Sequence, residues 1–363
     1  MPTVPLVDVR AQYAPLLPQI KERFAEVLES GKFVLGPNVE AFEQEAAAYL
    51  GVQETIGVAN GTDALVLTLD ALDIGPGDEV ICPSFTFYAT AEAVAKRGAR
   101  PVFADIEAAT LNLDPDDVAA RITDRTKAIL AVHLFGRPAP LERLAALGVP
   151  LIEDAAQAFG ARGVAQTGIA STFSFYPTKN LFAFGDAGLV AVTDPDVGER
   201  VRLLHFHGSR DKVDFKLVGY NSRLDELQAA VLRMFLKELD GWNSARREAA
   251  ARYVELGLGE VCEPPEDDGA HVFHMFVVRS PERDRLAGAL SAAGIGNASY
   301  YVTPLHMQQP LREFGEGEGS LPETERASRE NLALPMWAGI GAETQERVVE
   351  VLREAAVGAG ASA

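Results

Sequence analysis

Cysteine is nearly absent: Cys82 and Cys262 are the only two in 363 residues, and they lie far apart. Neither a disulfide framework nor a paired-cysteine metal motif can be built from them. The six histidines offer no substitute, because His205 and His207 have no acid or cysteine at ligand spacing. Positive charge is also scarce. Against 52 Asp and Glu stand 33 Lys and Arg, a net charge of −19. A nucleic acid or an anionic membrane surface is therefore a poor general partner. A small anion is not excluded, since one helix N-terminus can override the net field. No apolar run approaches the ~20 residues that span a bilayer. The opening Met-Pro-Thr-Val-Pro-Leu-Val-Asp lacks the charged-then-apolar layout of a secretory signal. A cytoplasmic protein is expected.

Lysine is the scarcest charge, with eight against twenty-five arginines. One of them, Lys179, stands inside an aromatic segment, with Phe173, Phe175 and Tyr176 before it and Leu181, Phe182 and Phe184 after it. Burial among rings disfavours the ammonium form and yields a usable amine nucleophile and base. The alternative is a lysine whose stem packs on a strand end while its head reaches water.

What is present in quantity is ordinary globular material, 47% hydrophobic and 8% aromatic, on a chain long enough for about two domains. Leu16, Leu17, Ile20, Phe24, Val27 and Leu28 recur at helical spacing up to Gly31, and Val39, Phe42 and Tyr49 mark a second helix after Gly36-Pro37. This arm can pack on the main body or on a second subunit. From residue 55 short apolar runs alternate with amphipathic helices. Strands are expected at 55–59, 79–82, 101–104, 128–132, 150–153, 171–175 and 189–192, with helices at 63–72, 89–96, 116–121 and 141–147. The alternation predicts an α/β fold: a large domain whose mostly parallel sheet is flanked by helices. A long helix from about Arg223 should connect to a smaller α+β C-terminal domain, dividing the chain into 1–240 and 241–363. That domain should hold strands at 272–278 and 297–300 and helices at 282–293 and 344–355. Residues 315–319 read as a flexible surface loop, and the last six residues should fray.

Ligands in such sheets sit beyond the carboxyl ends of the strands. Three strand-end loops matter. Ala59-Asn-Gly-Thr-Asp opens a helix, where free backbone N–H groups and the Thr62 hydroxyl suit a phosphate; an ordinary N-cap by Asn60 or Thr62 is the plainer alternative. Leu151-Ile-Glu-Asp-Ala-Ala-Gln157 runs a buried strand into two acids, so Asp154 needs a cationic or hydrogen-bonding partner. In the lysine segment, Ser174 and Tyr176 project to one face beside Lys179. An anion cradle, a buried carboxylate and an amine nucleophile together suit pyridoxal phosphate.

Six segments in order carry a resemblance: Asn60-Gly-Thr, Pro83-Ser-Phe-Thr-Phe-Tyr-Ala-Thr90, Val132-His-Leu-Phe-Gly136, Glu153-Asp-Ala-Ala-Gln157, Phe173-Ser-Phe-Tyr-Pro-Thr-Lys-Asn180 and Gly219-Tyr-Asn-Ser-Arg-Leu-Asp-Glu-Leu-Gln-Ala-Ala230. From about Pro5 to the last helix the chain resembles the DegT/StrS-type sugar aminotransferases, fold-type I pyridoxal-phosphate enzymes built like aspartate aminotransferase. The resemblance implies that Lys179 binds the cofactor as an imine and shuttles the substrate proton. Asp154 should keep the ring nitrogen protonated, Gln157 should lie near the ring hydroxyl, and Phe87 should stack on the ring. Gly61, Thr62 and Ser174 should hold the phosphate, joined by Asn221 from the neighbouring subunit of a homodimer, with Phe33-Val-Leu-Gly36 near the shared site.

Family members that dehydrate sugars carry histidine in place of the lysine, so Lys179 favours transamination. The implied reaction converts a dTDP- or UDP-linked keto sugar to an amino sugar, with glutamate the expected donor. A lyase or sugar dehydratase, or a non-catalytic regulatory protein, are the rivals. Ordinary aminotransferases clamp the donor carboxylate with a C-terminal arginine, but residues 330–335 offer none; Arg326 and Arg329 precede them and should be solvated. Tyr301 and His306, with Tyr300, are candidates for the sugar pocket. His133 is read as either a cofactor contact or a structural histidine, and Arg223 as an anchor for an acidic group or a helix cap.

Overall fold

The computed structural model describes residues 4–357. Seven strands form the main sheet: β1 (Glu54–Val58), β2 (Glu79–Pro83), β3 (Arg100–Ala104), β4 (Thr126–Val132), β5 (Leu151–Asp154), β6 (Ala170–Ser174) and β7 (Gly188–Val192), in the order β1-β7-β6-β5-β4-β2-β3. β7 runs antiparallel to β1 and β6, and every other neighbouring pair is parallel. All five residues of β2 and of β7 are buried, as a sheet covered on both faces requires. Because β7 alone is reversed, β1, β5 and β6 end on the same edge. The expected strands fall within one or two residues of those observed.

The arm packs on the body. Its helix Pro37–Leu50 buries Val39, Phe42 and Ala46, and Phe42 meets Phe175 edge-on at 5.5 Å between ring centres. The preceding helix Leu17–Ser30 ends at Gly31, whose φ of +65° makes the left-handed cap that glycine favours. No side chain from its own segment caps Pro37–Leu50. The buried Glu226 does so from far along the chain, accepting Val39 N at 2.8 Å and Asn38 N at 3.1 Å. A carboxylate suits the positive end of a helix.

The C-terminal half departs more from expectation. The single connecting helix is two, Glu226–Leu236 and Leu239–Glu255. β8 (Phe276–Arg279) starts four residues later than 272, because Phe273 has a φ of +44° and Val272 N is bonded to Gly136 O, 3.0 Å away. It pairs antiparallel with β9 (Asn331–Leu334), and the expected strand at 297–300 does not form. Ala298 makes only an isolated bridge to Ala333. Fully buried on both faces, the four residues of β9 lack the alternation that marks a strand. The helices Arg283–Ala292 and Ala342–Val357 match expectation, whereas Pro322–Glu330 was not foreseen. Of residues 315–319, Glu316 to Gly319 are exposed. The last six residues lie outside the described range. Among the described residues no helix is long and apolar enough to cross a membrane.

Candidate active site

Where β1, β5 and β6 end, a cavity of about 960 Å³ opens. Thr62, Phe87, Asp154, Gln157, Ser174, Lys179 and Tyr301 all line it.

β5 delivers two acids to opposite environments. Asp154 turns to the cavity, buried; its Oδ2 accepts Thr90 Oγ1 at 2.9 Å and its Oδ1 accepts Ala156 N at 3.3 Å. Burial pushes the Asp154 carboxyl above the usual range, while Thr90, Ala156 and the Lys179 charge pull against that rise. Glu153 points the other way. It accepts Gly168 N at 2.7 Å, Ala165 N at 2.8 Å and His133 Nε2 at 3.0 Å. Burial works to raise its carboxyl, but these partners hold it below the usual range. His133 Nδ1 accepts Ala139 N at 2.9 Å, so its proton resides on Nε2 and goes to Glu153. His133 is therefore structural.

Lys179 follows β6 in a turn closed by its own N–H to Tyr176 O at 2.8 Å. Phe173, Phe175, Leu181 and Phe182 around it are fully buried, while Lys179 itself is half-buried and lines the cavity. Burial lowers its ammonium from the ordinary value to about 8, with Asp154 opposing. The next residue fixes the segment: Asn180 Nδ2 donates to Asn243 Oδ1 at 2.8 Å and Val272 O at 2.9 Å.

Asn60 is the N-cap of the helix Gly61–Ala71, accepting Asp63 N at 2.8 Å. As the first helical residues, Gly61 and Thr62 carry N–H groups the helix cannot satisfy, and they face the cavity. A Cβ on Gly61 would lie 2.7 Å from Ser174 Cβ, so only glycine lets the helix start close against β6. Phe87 presents 61% of its surface beside this cradle. Gln157 Oε1 accepts Phe135 N at 2.8 Å and its Nε2 donates to Tyr301 Oη at 3.3 Å. The Tyr301 ring stacks on Phe135 and meets Phe85 edge-on.

Two expected residues are elsewhere. His306 does not line this cavity; it is buried with Nδ1 2.7 Å from Ser84 Oγ and borders a separate cavity beside Arg100 and Phe314. Leu305 N also bonds Ser84 O, at 3.0 Å, and this clamp turns His306 away from Tyr301. Asn221 is exposed, bridged to Phe206, and is not part of its own chain's cavity. Arg223 lies over the Phe206 ring, 5.9 Å from its centre.

Three contributors went unrecognised in the sequence. Thr86 stands 3.2 Å from Thr90, oxygen to oxygen; Thr90 gives its one proton to Asp154, so Thr86 donates to Thr90. Their spacing of four residues was the available signal. His274 also lines the cavity, brought there where Gly136 passes so close that a Cβ would lie 2.8 Å from His274 N. Nothing local in the sequence announces it.

Comparison with known proteins agrees with this geometry. Over 97% of this chain and 98% of the relative, identity is 45% to the "Pleiotropic regulatory protein" of Geobacillus stearothermophilus. To the dTDP-3-amino-3,4,6-trideoxy-alpha-D-glucose transaminase of Streptomyces venezuelae it is 42%, over 97% of this chain and 96% of the relative. The crystal structure of S. venezuelae DesV in complex with a ketimine intermediate superposes with a TM-score of 0.94 at 42% identity, covering 98% of this chain and 99% of that one. The DegT/DnrJ/EryC1/StrS aminotransferase family profile matches residues 17–353, and the chain belongs to that family.

Proposed function

We propose that this cavity carries out a pyridoxal-phosphate-dependent transamination that converts the keto group of a nucleotide-linked sugar to an amine, with glutamate as donor. One observation carries the reading: a lysine lowered to about 8, a buried carboxylate and an unsatisfied helix start share one cavity. The residues fit the cofactor. The unsatisfied amides of Gly61 and Thr62 at the helix start, the exposed Phe87 ring and the carboxylate of Asp154 match its phosphate, ring face and ring nitrogen. When bound, pyridoxal phosphate supplies an electron sink and stores the amine between the two half-reactions.

The chain's own groups do the rest. Lys179 Nζ, lowered to about 8 so that a usable fraction is neutral near pH 7, would attach the cofactor and then carry a proton to and from the substrate carbon as general base and acid. Asp154 would keep the cofactor's ring nitrogen protonated, and that cation would offset the cost of burying the carboxylate. The Gly61 and Thr62 amides, the Thr62 hydroxyl and Ser174 hold the phosphate at a helix start. Gln157, steadied by Phe135 and Tyr301, would serve the ring hydroxyl.

The functional unit in this reading is a homodimer. Phe33, Val34 and Leu35 are exposed at 46%, 42% and 37%, and Phe215 and Val218 at 57% and 93%. Such clustered apolar exposure suits a second copy. Asn221, exposed near the second of these segments, would then reach the partner's phosphate site.

The intact Lys179–Asp154 pair favours catalysis over the regulatory role in the Geobacillus relative's name. The test is to mix the purified, cofactor-loaded protein with L-glutamate and follow the absorbance change from the aldehyde to the amine form of the cofactor, then restore it with a nucleotide-linked keto sugar. No spectral change with any amino donor overturns the reading.

A further inference from the structure

Behind the cavity wall lies a cation with no counter-ion. Arg246 is completely buried, and none of its hydrogen bonds goes to a carboxylate among the described residues. Nη1 donates to Phe273 O at 3.2 Å and His274 O at 3.5 Å, and Nη2 donates to Gln12 Oε1 at 3.1 Å, while Nε has no partner. Burial lowers the guanidinium to about 10, which leaves it charged at neutral pH. A buried charge of this kind projects a positive potential through its low-dielectric surroundings.

His274 stands between that charge and the cavity. Its ring is buried and its Nδ1 has no hydrogen-bond partner. Burial, followed by the charges of Lys179, Arg246 and His271, holds the imidazole neutral. A neutral ring has one proton to place. A buried N–H without an acceptor is rarer than a buried lone pair without a donor, so the proton belongs on Nε2. The cavity wall thus offers a neutral donor against a positive background. That combination selects an anionic oxygen over a hydroxyl.

The cofactor's phosphate already has its cradle at Gly61, Thr62 and Ser174, and residues 330–335 contain no arginine for the donor carboxylate. We propose that His274 Nε2–H, backed by the buried charge of Arg246, hydrogen-bonds a carboxylate oxygen of the amino donor. Arg246 acts here as a positioning residue, holding the Phe273 and His274 carbonyls and supplying the field. The inference rests on the transaminase reading above and names the donor-binding group within it.

Glutarate, a five-carbon dicarboxylate that lacks an amine and cannot react, is the probe. Calorimetric titration of the cofactor-loaded enzyme should show glutarate binding that His274→Phe weakens by roughly ten- to a hundredfold, the range of one hydrogen bond to a charged group. His274→Asn, which retains an N–H donor, should recover most of it, and the KM for the keto sugar should stay near wild type. His274→Leu repeats the contrast if His274→Phe does not fold. Unchanged glutarate affinity without the donor, no binding by wild type, or equal losses on the donor and sugar sides would each overturn the proposal. The parent reading fails separately, if glutamate leaves the wild-type cofactor spectrum unchanged.

Discussion

Thr90→Val tests the electrostatics of the site with little change in shape. Valine matches threonine in volume but cannot donate, so Asp154 would lose the 2.9 Å bond at Oδ2 and keep only the 3.3 Å bond from Ala156 N. A hydrogen bond to a buried charged group is worth roughly 1.5–3 kcal/mol. That corresponds to about 1–2 pKa units, added to a carboxyl that burial has already raised. The sign follows from linkage. A carboxyl whose folded pKa exceeds its unfolded value weighs against folding once it ionises, so this penalty appears as pH rises through the folded pKa. In urea unfolding of the cofactor-free protein, Thr90→Val should be less stable than wild type by roughly 1.5–3 kcal/mol at pH 8. The gap should close as the pH falls and Asp154 protonates in both proteins. Cofactor retention should fail at a higher pH in the variant, because the ring nitrogen needs the ionised carboxylate. A stability gap that does not vary with pH, or no gap at all, would refute the role assigned to Thr90.

Three further outcomes are expected. With Lys179 lowered to about 8, attachment of pyridoxal phosphate to the cofactor-free protein should speed up about tenfold per pH unit below that value and level off above it; a flat rate from pH 6 to 9 would contradict this. Gly61→Ala puts a Cβ 2.7 Å from Ser174 Cβ and 3.3 Å from its Cα, so the helix start must shift. Cofactor affinity measured by fluorescence should drop by roughly tenfold or more, within the range of overpacking costs, at unchanged helix content. His133→Phe removes one of the bonds to Glu153 and should cost about 1.5–3 kcal/mol in urea unfolding. Cofactor binding per folded molecule should stay the same, and its loss without destabilisation would return His133 to the active site.

The cavity edge of the sheet is legible because each strand there announces its own end. Asp154 closes a buried run, Ser174 closes another, and Asn60-Gly-Thr begins a helix directly after a third. These are local signals, and the residues they single out line one cavity. Contacts made across long separations were not legible. His274 reaches the site only because Gly136 lets its backbone pass closely, and β9 hides in four residues with no alternation. His306 shares a loop with Tyr301, but three bonds to Ser84, from Leu305 N, from His306 N and at His306 Nδ1, turn it away. Sequence proximity gives no account of which way a side chain leaves an irregular backbone.

Glu226 sets an order of events during synthesis. The helix Pro37–Leu50 emerges from the ribosome early, yet the carboxylate that satisfies its first N–H groups lies 188 residues beyond Asn38. At roughly 5–20 residues per second, that carboxylate follows by about 10–40 s. Throughout the wait, the amphipathic arm has neither its cap nor the buried faces of Leu224 and Phe235 that complete its core. A nascent chain halted before residue 226 should therefore expose this arm to chaperones and proteases, and one halted well past the helix Glu226–Leu236 should protect it.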